Sequence, residues 1–401
     1  MFPAFRSMRQ IRVSDESHRV TTFELFFDLV FVFAFTQVTG FMAHEHTGLG
    51  VLQGMIILGI LWWSWVCYSW LANQTHVDEG IVRLGMSLAM MAMFIAALTI
   101  PEAFHDMAGG LDGPLVFALA YFVVRLVHIG LYLVAAGDDV PLRRQVIKTS
   151  SAMFTGSAII ITGALVGGPS QTWFWLAGLA ADITLTYLTS AGGNWRVHSA
   201  AHWAERYGLV VILALGESII SIGVGASERP VSTLMILGAV FGVGLSICLW
   251  WLYFDVMAIA AEHVLARLRG RARSALAVDA YTYLHLPLIA GVVLSALGVE
   301  DALAHLDESS GYGWLGAGAL LGGTALYLLA HAAFWRRVGG YWKTWRLSTA
   351  AVLLALIPAT SGFAPLAALG LVFGLCALLV VVETTVYAEK RAEIRRSHSP
   401  A

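Results

Sequence analysis

The sequence predicts an all-α polytopic membrane protein, with about twelve transmembrane helices arranged as two parallel six-helix repeats. Three observations lead there. First, 58% of the 401 residues are hydrophobic and only 12% are charged, where a soluble domain carries about a quarter charged residues. The mean hydropathy of +0.74 describes more apolar surface than one core can hide from water. Second, the apolar residues fall in runs of about 20, the length that crosses a bilayer. Third, basic residues cluster between alternate runs.

In chain order, the first six runs lie near residues 22–43, 50–71, 82–100, 114–136, 147–166 and 173–190. The second six lie near 205–224, 232–257, 277–298, 313–333, 345–361 and 363–386. Turn residues separate them: Gly48-Leu49-Gly50, Gly109-Gly110, Gly167-Gly168-Pro169, Arg229-Pro230 and Gly339-Gly340. Pro358 and Pro365 leave the last two runs closely joined, with one broken re-entrant pair as the alternative. The polar, basic segment before the first run has no small-residue cleavage site, so no cleaved signal peptide is expected.

Basic clusters orient the spans, because positive loops stay in the cytoplasm. The clusters are Arg6, Arg9, Arg12 and Arg19; Arg143, Arg144 and Lys148; Arg267, Arg269, Arg271 and Arg273; Arg336, Arg337, Lys343 and Arg346; and Lys390, Arg391, Arg395 and Arg396. With the N-terminus inside, all five face the cytoplasm. The opposite loops, His44-Glu45-His46, Glu102 to Asp112 and Glu300 to Glu308, are acidic or uncharged, and only Arg229 breaks the pattern. Both termini are therefore expected in the cytoplasm, with the chain crossing the membrane many times.

The two halves carry similar residues in the same order. Glu24-Leu25-Phe26-Phe27-Asp28 corresponds to Glu205-Arg206-Tyr207-Gly208-Leu209, and Trp62-Trp63 to Trp250-Trp251. Tyr121 and Arg125 correspond to Tyr327 and His331, and Asp182 to Glu383. The expected division is a basic N-terminus (1–20), a first repeat (21–198), a second repeat (199–388) and a basic tail (389–401). Six spans per repeat keep the two halves in the same orientation.

Charge inside the spans costs about 2.5–3.5 kcal/mol per residue at a helix centre. Arg125, Asp182 and Glu217 lie near span centres, and Asp28 about two turns into the first span. They must pair, line water or be protonated. Arg125 keeps its proton and needs a carboxylate, which Asp182, Asp28 or Glu217 can supply. Tyr121, Arg125, His128 and Tyr132 form one helical stripe, and Glu24, Asp28, Phe31 and Phe35 another. The functional reading is a buried ionisable network that couples to protons or ions, with Asp28, Arg125, Asp182 and Glu217 at its centre, between the two repeats. The plainer reading is a salt-bridge cluster that fixes helix register. Glu24 and Glu205 are further candidates near the cytoplasmic boundary, where Glu205 can pair with Arg206.

Other features are weaker. His44-Glu45-His46, His76 with Asp78 and Glu79, and His198 with His202 have partial metal-ligand spacing, but capping and interfacial roles explain them, and no metal is expected. The tryptophans Trp62, Trp63, Trp65 and Trp70 read as packing and interface residues. Cys67, Cys248 and Cys376 sit in apolar segments without a CxxC partner, so neither a disulfide framework nor zinc is expected. No nucleotide-binding or catalytic motif occurs, so no cofactor and no catalytic residue is assigned. Scattered basic residues argue against nucleic acid as a partner. The expected partners are the lipid bilayer and a small solute or ion.

Two stretches resemble the low temperature requirement A (LtrA) family: Val20-Thr21-Thr22-Phe23-Glu24-Leu25-Phe26-Phe27-Asp28-Leu29-Val30-Phe31-Val32, and His202-Trp203-Ala204-Glu205-Arg206-Tyr207-Gly208-Leu209 followed by Leu215-Gly216-Glu217-Ser218. Trp62-Trp63-Ser64-Trp65 and Ile100-Pro101-Glu102-Ala103-Phe104 fit as well. The resemblance implies a bacterial multi-pass membrane protein associated by name with growth in the cold. It directs attention to Glu24, Asp28, Glu205 and Glu217 and supplies no mechanism. The leading functional expectation is a secondary transporter, possibly proton-coupled. The alternative is an accessory or assembly membrane protein, or an intramembrane lipid-acting enzyme using Asp28, Asp182, Glu217 or His128 as acid or base.

Overall fold

A computed structural model describes residues 14–190, 195–227, 230–306, 311–389 and 391. Of the positions singled out in the sequence, Arg6, Arg9, Arg12, Arg229, Glu308, Lys390, Arg395 and Arg396 lie outside the described residues. Helices and turns make up the described chain, with no strand among the described residues. We label the long helices α1 (Thr22–Glu45), α2 (Gly48–Gln74), α3 (Gly80–Leu98), α4 (Gly113–Ala135), α5 (Val140–Val166), α6 (Gly168–Ser190), α7 (Ala200–Ser227), α8 (Thr233–Arg267), α9 (Gly270–Ala304), α10 (Gly313–Gly339), α11 (Thr344–Thr360) and α12 (Pro365–Val386).

Ten of these are long and apolar enough to cross a membrane. The other two fall short for different reasons. Helix α6 is long enough, but Ser170, Gln171, Thr172, Asp182, Thr184 and Thr186 dilute its apolarity. Helix α11 is apolar but only 17 residues long. The chain is thus an all-helical, multi-pass protein, and its apolar lengths alone account for ten spans.

Local chemistry sets the helix ends. Asp112 caps α4 by accepting from Leu115 N, and Asp139 caps α5 by accepting from Leu142 N, each with a proline in the first turn. Ser232 caps α8 in the same way. Helix α10 stops at Gly340, whose φ of 82° is left-handed and needs no Cβ. Helix α5 starts at Val140, so Arg143, Arg144 and Lys148 ride on its first turns and not in a preceding loop.

The chain divides into two compact units, residues 1–41 with 49–206, and residues 42–48 with 207–401. In the first unit α5 and α6 pack closely, because a Cβ on Gly156 or Gly178 would stand 2.9 Å from the other residue's carbonyl oxygen. In the second, α9 and α10 meet at Gly298 and Gly323, where a Cβ would stand 2.5 Å from a backbone nitrogen of the opposite helix. Small residues at such crossings let backbones approach, which is how helices hold together where lipid removes the hydrophobic driving force. Both α9 and α10 contain a π-helical turn, Ala277–Tyr283 and Gly318–Gly322.

Candidate functional site

The first unit contains two buried ionic centres, and they differ in charge. The first is assembled by α1, α2 and the start of α7. Thr21 and Glu24 form a capping box: Thr21 N donates to Glu24 Oε1 at 3.1 Å, and Glu24 N donates to Thr21 Oγ1 at 3.3 Å. The box occupies Oε1 and leaves Oε2 facing His202 Nε2 at 2.8 Å. One turn further along α1, Asp28 accepts from Arg206 Nη1 at 2.8 Å and Nη2 at 3.0 Å, and from Trp65 Nε1 at 3.0 Å. Arg206 Nε stands 3.5 Å from Glu24 Oε2, so one guanidinium serves both carboxylates. Glu24, Asp28, Trp65, His202 and Arg206 are each at most 1% exposed.

The loop before α7 fixes the hydrogen-bond geometry of His202. Ser199 Oγ accepts from His202 N at 3.1 Å and donates to His18 O at 2.8 Å, which ties residues 14–20 to the helix start. Asn73 Oδ1 accepts from His198 N at 2.7 Å and Asn73 Nδ2 donates to Ser199 O at 2.8 Å, so the amide cannot be turned over. The same Nδ2 lies 3.1 Å from His202 Nδ1. Nδ1 must therefore accept, and the ring's proton sits on Nε2 and points at Glu24. A second ring proton, on Nδ1, would point at the Asn73 amide N–H. Glu24, Asp28 and Arg206 then sum to one negative charge.

His18 stacks on His202 at 4.5 Å and meets His76 edge-on at 4.5 Å. Burial pushes the His18 imidazole down to about 4. His18, Glu24 and His202 bring ligand atoms within 4.8 Å of one another, a spacing that suits a metal ion. The donor set opposes it. A metal on His202 Nε2 needs the ring proton on Nδ1, where the Asn73 amide already donates. His198 Nε2 contacts Gln74 Oε1 at 3.1 Å.

The second centre joins α4 and α6. Arg125 Nη2 reaches Asp182 Oδ1 at 3.0 Å and Oδ2 at 2.9 Å, and Tyr121 donates to Oδ2 at 3.1 Å. Thr186 donates to Oδ1 at 3.3 Å, and Arg125 Nη1 contacts Cys67 Sγ. One cation meets one anion here, and both are buried. His128 packs its ring between Tyr68 and Tyr132, with Nε2 lacking a hydrogen-bond partner among the described residues.

The expected single centre is therefore corrected. Asp28 and Asp182 do not share Arg125: Asp28 belongs to Arg206 and Asp182 to Arg125. Glu217 lies in the second unit, buried, accepting from Ser221 Oγ at 2.6 Å. Glu205 is exposed and accepts from Val20 N at 3.2 Å, while its neighbour Arg206 turns to the opposite side of the helix and the core. Arg206 was read only as a partner for Glu205. A local signal existed: Glu24 and Asp28 make an acidic i, i+4 pair on one helix, and His202 and Arg206 a basic i, i+4 pair on another.

The second unit has its own pair. Arg346 binds Glu383 with a two-pronged fork, Nε to Oε1 at 2.7 Å and Nη2 to Oε2 at 2.6 Å, and its Nη1 contacts the His331 ring. Glu383 holds the position matched to Asp182 in the sequence, but its arginine comes from α11 and not from α10.

A family model described as bacterial low temperature requirement A protein matches residues 19–382. A protein of Rhizobium meliloti (strain 1021), described as uncharacterized, is 29% identical over 393 residues, covering 93% of this chain and 90% of that protein. No solved structure matches. With nearly all of its length matched, the chain belongs to the bacterial low temperature requirement A (LtrA) family.

Proposed function

We propose that this LtrA protein is a proton-coupled secondary transporter of the bacterial cytoplasmic membrane. In this reading it has twelve spans in two parallel six-helix repeats, α6 and α11 included, and both termini lie in the cytoplasm. The supporting observation is the surplus charge at Glu24, Asp28 and Arg206. Two carboxylates against one permanent cation leave one negative charge in a buried site, and a net buried charge is far costlier than a balanced one. In this reading His202 does not supply the missing positive charge, because a second ring proton would point at the Asn73 amide N–H. A proton on one of the two carboxylates does, and a carboxyl proton is exchangeable. His202 Nε2 and the stacked His18 and His76 rings form a polar path from Glu24 towards the loops at residues 14–20 and 75–79.

Arg125 and Asp182 play a different part. Their charges cancel, and Tyr121 and Thr186 satisfy the carboxylate. That supports a lock between α4 and α6. An accessory or assembly protein remains the second reading, and it would use both centres as locks.

Vesicles carrying the purified full chain and an entrapped pH dye distinguish the two. Challenge with a panel of metabolite-sized anions and zwitterions is expected to give at least one solute that moves protons. Glu24→Gln and Asp28→Asn each abolish that signal. Solute flux that persists in both variants with its pH dependence intact would overturn proton coupling at this centre.

A further inference from the structure

We propose that the second unit binds a divalent transition metal of the zinc class between the loop after α1 and the end of α9. The ligands are His46, Asp301 and His305. All three belong to the second unit and line one pocket of about 410 Å³, its space open to solvent included. In the sequence, His46 has partial ligand spacing with His44. Folding gives it other neighbours: Asp301 Oδ1 stands 3.7 Å from His46 Nδ1 and 3.2 Å from His305 Nδ1, so one carboxylate oxygen faces two imidazoles from different segments.

Tetrahedral zinc, with bonds of about 2.0–2.2 Å, sets neighbouring ligand atoms about 3.3–3.6 Å apart. Both edges that meet at Asp301 are already near that length. The third edge closes by turning the two rings, whose centroids are 6.2 Å apart. They are free to turn, because the His46 and His305 side chains are 53% and 40% exposed, while Asp301 between them is 10% exposed. His305 Nδ1 lies 2.8 Å from Asp301 O, and ligation exchanges that hydrogen bond for the metal at an end of α9 where water can reach the carbonyl.

Three further observations point the same way. His46 has a φ of 42°, and among the described residues it is the one non-glycine in the left-handed region. The left-handed residue that ends a helix is usually glycine, which adopts it without strain, so a histidine there points to a use for its side chain. Gly316 on α10 makes room for the carboxylate, since a Cβ there would overlap Asp301 Oδ2. The charge of the pocket favours a cation: its lining has the carboxylates of Glu300 and Asp301 and no lysine or arginine. Imidazole ligands select zinc-class ions over calcium and magnesium, which take oxygen. The inference stands on this pocket alone and does not depend on proton coupling in the first unit.

Equilibrium dialysis of the tag-free, chelator-stripped full chain in detergent against Zn²⁺, with bound metal counted by elemental mass spectrometry, tests it. The wild type is expected to hold one equivalent that Ca²⁺ at the same concentration does not displace. H46G and H305Q are each expected to weaken binding about tenfold or more. H46G also relaxes the left-handed backbone, so its metal-free melting temperature should not fall, which separates lost ligation from lost folding. H305Q, at an exposed side chain, is the second variant. H44Q, and H18Q in the first unit, should bind as the wild type does. The proposal is overturned if the wild type binds no Zn²⁺ or loses it to Ca²⁺, if H46G and H305Q both bind as the wild type does, or if H18Q or H44Q abolishes binding, which would place the metal elsewhere.

Discussion

Arg125 and Arg206 lie in the same unit, and each is a buried guanidinium held by carboxylate oxygens at hydrogen-bonding distance. They differ in arithmetic. Arg125 faces one carboxylate, whose oxygens are completed by a phenol and a threonine hydroxyl. Arg206 faces two, and the neighbouring histidine turns its Nδ1 to an asparagine amide whose own orientation is set by the backbone. The contrast teaches that burial and pairing do not by themselves mark a working site. A matched pair needs nothing more, whereas a mismatched one leaves a buried charge to be compensated.

Substitutions can break this contrast, and the largest effect is expected at the matched pair. Arg125→Leu strands Asp182, which is 0% exposed, and removing one partner of a buried pair costs about 3–5 kcal/mol. Melting in detergent should show it, and the double variant Arg125→Leu/Asp182→Leu should recover most of the loss.

Arg206→Met strands two carboxylates, but here protons can substitute for the cation. Its melting temperature is expected to fall as pH rises, because every carboxylate that ionises lacks a partner. A loss independent of pH would erase the distinction from Arg125.

Glu24→Gln should cost about 1 kcal/mol, since it removes the surplus charge and glutamine can complete the same capping box with Thr21, while its amide NH2 then faces the His202 Nε2–H. A cost as large as that of Asp182→Asn would mean that both centres are locks.

Smaller still is the His18 contribution. Its folded value of about 4 lies below the model-peptide 6.5, so between those values the unfolded chain binds more protons than the folded one. Stability is therefore full above pH 6.5 and declines as pH drops towards 4. His18→Gln should flatten that part of the pH–melting curve. Glu205→Gln, at an exposed position, should leave both stability and proton handling unchanged.

Much of the architecture was legible because lipid imposes a length on every apolar run, and turn glycines and prolines mark the ends. The expected runs near 22–43, 114–136 and 363–386 became Thr22–Glu45, Gly113–Ala135 and Pro365–Val386. Helix α6 shows the limit: Asp182 and its flanking threonines serve an internal pair and lower the very apolarity by which a span is counted. The centres were half legible. Buried charge on α1, α4 and α6 stood out against its cost in lipid, but partners did not, since Asp28 and Arg206 are 178 residues apart and their meeting depends on packing. Arg206 was hidden by its neighbour Glu205, which offered an adjacent partner that the helix directs away. Asn73 carried no signal at all. Its role arises from a single turn that brings Ser199 and His198 to its amide.

Infrared difference spectroscopy of the solubilised full chain tests the charge argument most directly, because a buried protonated carboxyl group has its own C=O band. The wild type should show this band at neutral pH, and both Glu24→Gln and Asp28→Asn should abolish it, since either leaves one carboxylate for one guanidinium. Asp182→Asn should leave it in place. A wild type without the band, or a band that survives in both Glu24→Gln and Asp28→Asn, would contradict the account.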